Sequence, residues 1–136
     1  MIRDDLAGMI ETAATAAMAA GELPQVVLPE IIIERPGRPE HGDYATNLPM
    51  RLARAARAKP LDIAAAISAH LPKSDAVASA EVAAPGFINI RLSEPWLAAQ
   101  VDVITAAGAA FGNVALGGGK RVQVEFVSAN PTGPLT

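Results

Sequence analysis

The stretch VASAEVAAPGFINIRLS, residues 77 to 93, decides the fold. Apolar and polar residues alternate before Pro85-Gly86 and again after it, as expected for two half-buried strands joined by a tight turn. In the first strand the alternating apolar set is Ala78, Ala80 and Val82, and in the second it is Ile88, Ile90 and Leu92. The strand period of two places the neighbours of the second set together on the opposite face, namely Phe87, Asn89 and Arg91. The sequence therefore predicts a hairpin with one buried face and one open face.

Helical patterns lie on both sides of this hairpin. Apolar residues recur at three- and four-residue steps between Leu6 and Ala17 and again between Ile63 and Leu71. Asn47 is placed to cap a helix whose first turn contains Pro49, with Leu52 and Ala56 as its buried positions. Ser93 is placed to cap a last helix that ends before Gly112.

Two further runs favour strands. Residues 25–36, QVVLPEIIIERP, are rich in β-branched residues but are broken by Pro29, which favours an edge strand or a bulged strand. A short strand is also predicted at residues 43–46. The resulting order predicts an α+β domain in which helices cover one face of a small antiparallel sheet of about four strands.

The length of 136 residues suits one domain with a short extension. We place the domain at residues 1–116 and a glycine-rich linker at residues 117–120. A second strand-like run, VQVEFV, then begins another unit at residues 121–136.

Composition excludes several kinds of function. The chain has no cysteine and only two histidines, so we predict neither a disulfide framework nor a metal site. The apolar N-terminal segment is interrupted by Asp4, Asp5 and Glu11, which predicts a soluble, cytoplasmic helix and not a signal or membrane segment. ALGGGK is not a phosphate-binding P-loop, because Val114 stands where that motif requires glycine.

The charge is unevenly distributed. The net charge is -3, but residues 35–59 carry six cations and two anions, a local balance of about +4. Arg51, Arg54 and Arg57 are spaced by three, which suits contacts with successive phosphates and equally suits a solvated helix surface.

The open face of the predicted hairpin combines three kinds of side chain. An aromatic ring at Phe87, an amide at Asn89 and a cation at Arg91 are the groups that bind single-stranded or looped RNA, by stacking, by hydrogen bonds to a base edge and by attraction to phosphate. An ordinary half-exposed hairpin remains the alternative for this face. For the whole chain, the alternative is a stand-alone α+β protein-interaction module without RNA binding.

Three motifs resemble one protein family in the correct order along the chain. VQVEFVSANPTGPL resembles the segment that opens the catalytic domain of arginyl-tRNA synthetases, a class I family. HGDYATN and APGFINIRLS, each followed by a helix, resemble the N-terminal additional domain of the same family. The resemblance covers most of the chain, and it implies that residues 121–136 are the first strand and turn of a Rossmann-like catalytic domain, here truncated.

The resemblance implies a docking role for residues 1–116. In the family this additional domain grips the D-loop at the outer corner of tRNA(Arg). Phe87 would stack on a D-loop base and Asn89 would hydrogen-bond to it. With Arg91 from the open face and two arginines from the basic stretch, the predicted tRNA-binding set is Phe87, Asn89, Arg91, Arg51 and Arg54.

The resemblance also implies a catalytic role for the full-length enzyme, which would activate L-arginine with ATP and Mg²⁺ and transfer it to tRNA(Arg). We expect a monomer. Ser128 and Asn130 would contact arginine. The approach to ATP would be shaped by Pro131, Thr132 and Gly133. At position 136 the family pattern has histidine, whereas this chain has Thr136, and the two histidines that engage ATP in such enzymes are missing. The 136-residue chain alone is therefore expected to be inactive.

Overall fold

Four α-helices and a small antiparallel sheet form the part of the chain that the computed structural model describes, residues 2–113 and 117–124. The helices are α1 (Ile2–Ala19), α2 (Leu48–Ala56), α3 (Pro60–Ala69) and α4 (Glu94–Ala107). The strands are β1 (Tyr44–Thr46), β2 (Val77–Ala83) and β3 (Phe87–Leu92). Single 3-10 turns at Pro39–His41 and Gly108–Ala110 complete the assigned elements.

The sheet has the order β1-β3-β2, with β3 antiparallel to both neighbours. The prediction of an α+β domain with a small antiparallel sheet is confirmed, but the predicted strand count of about four is wrong for the described residues, which contain three strands. Residues 25–36 form no strand. Glu34 makes one isolated antiparallel bridge to Ala45, with N···O distances of 2.8 and 2.9 Å.

Two features explain why residues 25–36 do not join the sheet. Pro29 has no backbone N–H to donate to a ladder, and Pro36 follows the single bridge. The segment that joins α1 to β1, residues 20–43, is here called the connector. It also delivers side chains to the core instead of pairing along its length, since Leu23 and Ile33 are each only 6% exposed.

The β2–β3 hairpin forms as its alternation predicts, with one local exception. Val82 pairs with Ile88 and Ala80 with Ile90, so these residues share the core side of the sheet. A register shift between Val77 and Ser79 leaves Ala78 exposed, and Val77 pairs with Leu92 instead. The predicted place of Ala78 in the alternating set is therefore wrong, because a bulge inserts one extra residue and reverses the sides beyond it.

The core lies between the helices and one face of the sheet. Its fully buried members include Leu6 and Ile10 of α1, Leu52 of α2, and Ile63 and Ile67 of α3. They meet the apolar side of β3, which is Ile88, Ile90 and Leu92. Ala56, predicted as buried, is only half-buried.

The α4 helix begins where the sequence predicts and ends before Gly112. The Oγ of Ser93 accepts a hydrogen bond from the Trp96 N–H at 3.2 Å, which confirms the predicted cap. Trp96 packs partly against the core, whereas Leu97, Val101 and Ile104 are exposed.

Residues 117–124 carry no helix or strand assignment. The predicted strand and turn at the end of the chain fall largely on residues 125–136, which lie outside the described residues, so the second unit stays a prediction. Within residues 2–113 and 117–124, no helix is both long and apolar enough to cross a membrane. The same residues contain no grouping of histidine, aspartate and glutamate that could hold a metal ion.

Candidate nucleic-acid interface

The side of the sheet turned away from the core, here called the open face, is built from all three strands. The register places Ala45 of β1 and Glu81 of β2 on either side of Asn89. Phe87 and Arg91 lie two residues before and after Asn89 on the same side of β3. The structure therefore brings the three predicted hairpin residues into one row, with Asn89 at its centre.

A pocket of about 320 Å³ lies over the Phe87 end of this row. Its sheet side includes Ala45, Asn47, Phe87 and Asn89. Its other wall is the connector before β1, which contributes Glu34, Arg35, Pro36, Gly37 and His41. We call it the strand pocket. Its volume lies in the range of small-ligand sites, and it combines one aromatic wall with a few polar groups.

Phe87 and Asn89 are both half-buried in this pocket. Their neighbours Ile88 and Ile90 are at most 2% exposed, so the buried side of β3 fixes the direction of the open side. Among the described residues, the Asn89 amide makes no hydrogen bond, which leaves its donors and its acceptor available to a ligand.

The HGD part of the HGDYATN motif holds the connector against β3. The Asp43 N–H donates to the Ile90 carbonyl at 2.9 Å, and Asp43 Oδ2 accepts from the Leu92 N–H at 2.8 Å. Gly42 has a φ of +88°, and a Cβ at this position would lie 2.7 Å from the Ile90 carbonyl oxygen. Only glycine fits this close approach without a shift. The motif thereby places His41 at the edge of the open face.

Arg91 lies at the far end of the row from the strand pocket. Its Nη2 lies 3.5 Å from the Glu40 carbonyl oxygen, a long contact at the exposed surface. Glu40 also forms an exposed ion pair with Arg38 at 3.8 Å. Arg91 therefore borders the open face without lining the strand pocket.

Arg51 and Arg54 lie on α2 and are not brought into the strand pocket. The Arg51 Nη1 donates to the Glu30 carbonyl at 2.5 Å, so this guanidinium ties α2 to the connector. Arg54 is exposed in the last turn of α2. A contact of either residue with RNA stays a prediction.

Arg35 is a pocket residue that the sequence did not single out. Its guanidinium carbon lies 5.9 Å from the centre of the Tyr44 ring, and that of Arg3 lies 5.8 Å from the same ring. Such cation–π contacts hold a guanidinium in place without neutralising its charge. The only sequence signal was membership of the basic stretch 35–59.

The predicted arginine contacts, Ser128 and Asn130, lie outside the described residues. So do the residues predicted at the approach to ATP, Pro131, Thr132 and Gly133. These assignments stay predictions.

Comparisons with known proteins agree with the resemblance in the sequence. The sequence model of the family described as arginyl tRNA synthetase N terminal domain matches residues 2–92. An arginine–tRNA ligase of Thioalkalivibrio sulfidiphilus is 46% identical over 134 residues, which cover 98% of this chain and 23% of that protein. One from Dehalococcoides mccartyi strain CBDB1 is 39% identical over 134 residues, covering 98% of this chain and 24% of that protein. The chain thus spans about a quarter of the length of these relatives.

Solved structures give the same answer for the fold. The arginyl-tRNA synthetase of Thermus thermophilus matches 74% of this chain and 15% of its own, with a TM-score of 0.56 and 27% identity. That of Plasmodium falciparum matches 74% of this chain and 17% of its own, with a TM-score of 0.60 and 12% identity, which shows a shared fold alone. Because the family model matches most of the chain and includes the hairpin of the open face, the chain belongs to the arginyl-tRNA synthetase family through that family's N-terminal domain.

Proposed function

We propose that this chain docks the D-loop, at the outer corner of tRNA(Arg), on behalf of an arginine–tRNA ligase. The strand pocket would receive one unstacked base. The observation that carries this proposal is the placement of Phe87 and Asn89 in one pocket on the side of the sheet turned away from the core. Looped RNA is read in this way, by stacking on an aromatic ring and by hydrogen bonds to the exposed base edge.

The charges around the open face support a base, not a phosphate, at its centre. Glu81 lies opposite Asn89 in the strand register, and a carboxylate there disfavours a phosphate group. The cations stand at the margins, with Arg35 at the pocket wall and Arg91 at the far end of the row. The RNA backbone would therefore follow the margins while the base turns inward.

The docking role belongs to a larger proposed activity. The full-length enzyme would join L-arginine to tRNA(Arg) with ATP and Mg²⁺, in the cytoplasm and as a monomer. Ser128 and Asn130 would contact arginine, and residues 131–133 would shape the approach to ATP. The 136-residue chain would contribute positioning of the tRNA and no chemistry of its own.

A titration of the chain with tRNA(Arg), followed through backbone amide resonances, tests the proposal. We expect shifts concentrated at Phe87 to Arg91 and small shifts in α1. Phe87→Ala should weaken binding by roughly 1 to 3 kcal/mol, the usual contribution of one stacked base. Phe111→Ala is the matched control, because Phe111 is 54% exposed and lies outside the pocket.

Salt dependence supplies the second readout. Affinity should fall steeply between low and physiological salt if phosphates are contacted at the margins of the open face. Shifts spread evenly over the chain, or an unchanged affinity of Phe87→Ala, would overturn the proposed site.

A protein-interaction module is the second candidate, and one observation favours it. Leu97, Val101 and Ile104 recur at helical spacing on α4 and are 43% to 61% exposed. A module of this kind would show no saturable binding of tRNA(Arg), so the same titration separates the two candidates.

A further inference from the structure

Asn47 lies at the N-cap position of α2, but its side chain does not cap the helix. The Leu48 N–H is taken by Thr46 Oγ1 at 3.3 Å, and Pro49 has no N–H. The Met50 N–H bonds to the backbone carbonyl of Asn47 at 3.0 Å. No backbone N–H of the first turn is left to donate a hydrogen bond to the Asn47 side chain. The predicted cap is therefore right in its position, but the predicted capping hydrogen bond is wrong.

The amide oxygen of Asn47 is also left without a partner. Within the described residues, Oδ1 is shielded from water and accepts no hydrogen bond. Buried polar atoms in native proteins are nearly always satisfied, because an unpaired carbonyl loses its bonds to water and gains nothing. An exception of this kind calls for a physical explanation.

The location of Asn47 supplies one. Thr46 is 1% exposed and points into the core, so the strand period turns Ala45 and Asn47 towards the opposite side. Both residues line the strand pocket together with Phe87 and Asn89. The small side chain of Ala45 leaves space between the side-chain amides of Asn47 and Asn89.

We infer that Asn47 is a further specificity-determining residue of the strand pocket, reading the polar edge of the base that stacks on Phe87. This inference rests on the proposed function. An asparagine amide carries one acceptor group beside two donors, and rotation of its last torsion presents either to the pocket. Asn47 and Asn89 together can match a base edge on which an N–H lies next to an acceptor.

Binding and stability measurements on the same variants test this role. The probes are an unmodified tRNA(Arg) transcript and a set of transcripts, each with one D-loop base removed. Asn47→Ala should weaken binding of the intact transcript about 5- to 100-fold, the range expected for one buried hydrogen bond. The melting temperature should stay at the wild-type value, because the side chain bonds to nothing in the protein. A capping residue would behave in the opposite way, with a lower melting temperature and an unchanged affinity.

Two further variants make the outcome unambiguous. Asn47→Asp keeps the size and remains favourable at a helix N-terminus, but it removes the NH₂ group and adds a negative charge. We expect this variant to stay folded and to bind more weakly than the wild type. Asn113→Ala, at an exposed turn outside the pocket, should bind like the wild type.

The transcripts identify the contact. On the transcript that lacks the base read by the pocket, wild type and Asn47→Ala should bind equally, because the partner of the amide is gone. Wild-type affinity of both Asn47 variants would overturn the inference. If Phe87→Ala still weakened binding in that case, the proposed docking function would stand. If Phe87→Ala were also without effect, the proposed function would fail as well.

Discussion

The backbone N–H of Leu92 donates a 2.8 Å hydrogen bond to Oδ2 of Asp43, which lies 49 positions earlier in the chain. This bond and the return bond from the Asp43 N–H to Ile90 close the loop before β1 against the end of β3. The strand pocket depends on these bonds, because the same loop forms its second wall.

Removal of the Asp43 carboxylate should destabilise the fold. In Asp43→Ala the part-buried Leu92 N–H loses its acceptor, which we expect to lower the free energy of unfolding by about 1 to 3 kcal/mol. Asp43→Asn keeps an acceptor oxygen and should lose less. Urea unfolding measures both, and equal stability of the alanine variant and the wild type would contradict the role of this bond.

A methyl group at Gly86 should also destabilise the domain. A Cβ there would lie 2.4 Å from the Pro60 Cβ and 3.1 Å from the Met50 Cγ, so the turn or the start of α3 must shift. We expect Gly86→Ala to cost about 1 to 3 kcal/mol in unfolding free energy. Gly8→Ala is the control, because a Cβ there meets nothing within 4 Å and alanine favours a helix by about 0.5 to 1 kcal/mol. The prediction fails if Gly86→Ala is as stable as the wild type.

Two residues paired across the hairpin should respond very differently to truncation. Ile88 is fully buried, whereas its partner Val82 is 38% exposed. Ile88→Ala should reduce the unfolding free energy by about 2 to 5 kcal/mol, because it leaves a cavity in the core. Val82→Ala should lower the unfolding free energy by less than about 1 kcal/mol, because the part of the side chain that is removed buries less apolar surface. Thermal unfolding of the two variants side by side checks this order, and similar losses would contradict the difference in burial between Ile88 and Val82.

Loss of the Arg35 charge should change the salt dependence of the proposed binding of tRNA(Arg). Arg35 stands at the pocket wall beside the Tyr44 ring, and a phosphate contact there would release about one counterion. Arg35→Ala should therefore lower the slope of log affinity against log salt by about one. Arg38→Ala serves as control, because Arg38 is paired with Glu40 and does not line the pocket. An identical slope for Arg35→Ala and the wild type would remove Arg35 from the interface.

The sequence by itself determined the elements whose signal is local. The alternation after Pro85-Gly86 identified the buried and open sides of β3, because strand geometry alone sends successive side chains to opposite faces. Ser93 identified the start of α4 for a similarly local reason, since a capping hydroxyl reaches only the first turn. The motifs HGDYATN, APGFINIRLS and VQVEFVSANPTGPL indicated the family from the sequence alone.

Only the tertiary structure decided what surrounds that open face. The β-branched run 25–36 has a strong strand signal, yet it became a connector because Pro29 interrupts pairing and Ile33 is needed in the core. Asn47 has a cap signal, yet its cap was made redundant by Thr46. Arg35 and Asn47 line one pocket with Phe87 only because β1 pairs with β3 and the loop before β1 is bonded to the end of β3. Local patterns describe one element at a time, whereas a pocket is made of contacts between residues far apart in the chain, and those depend on how the elements pack.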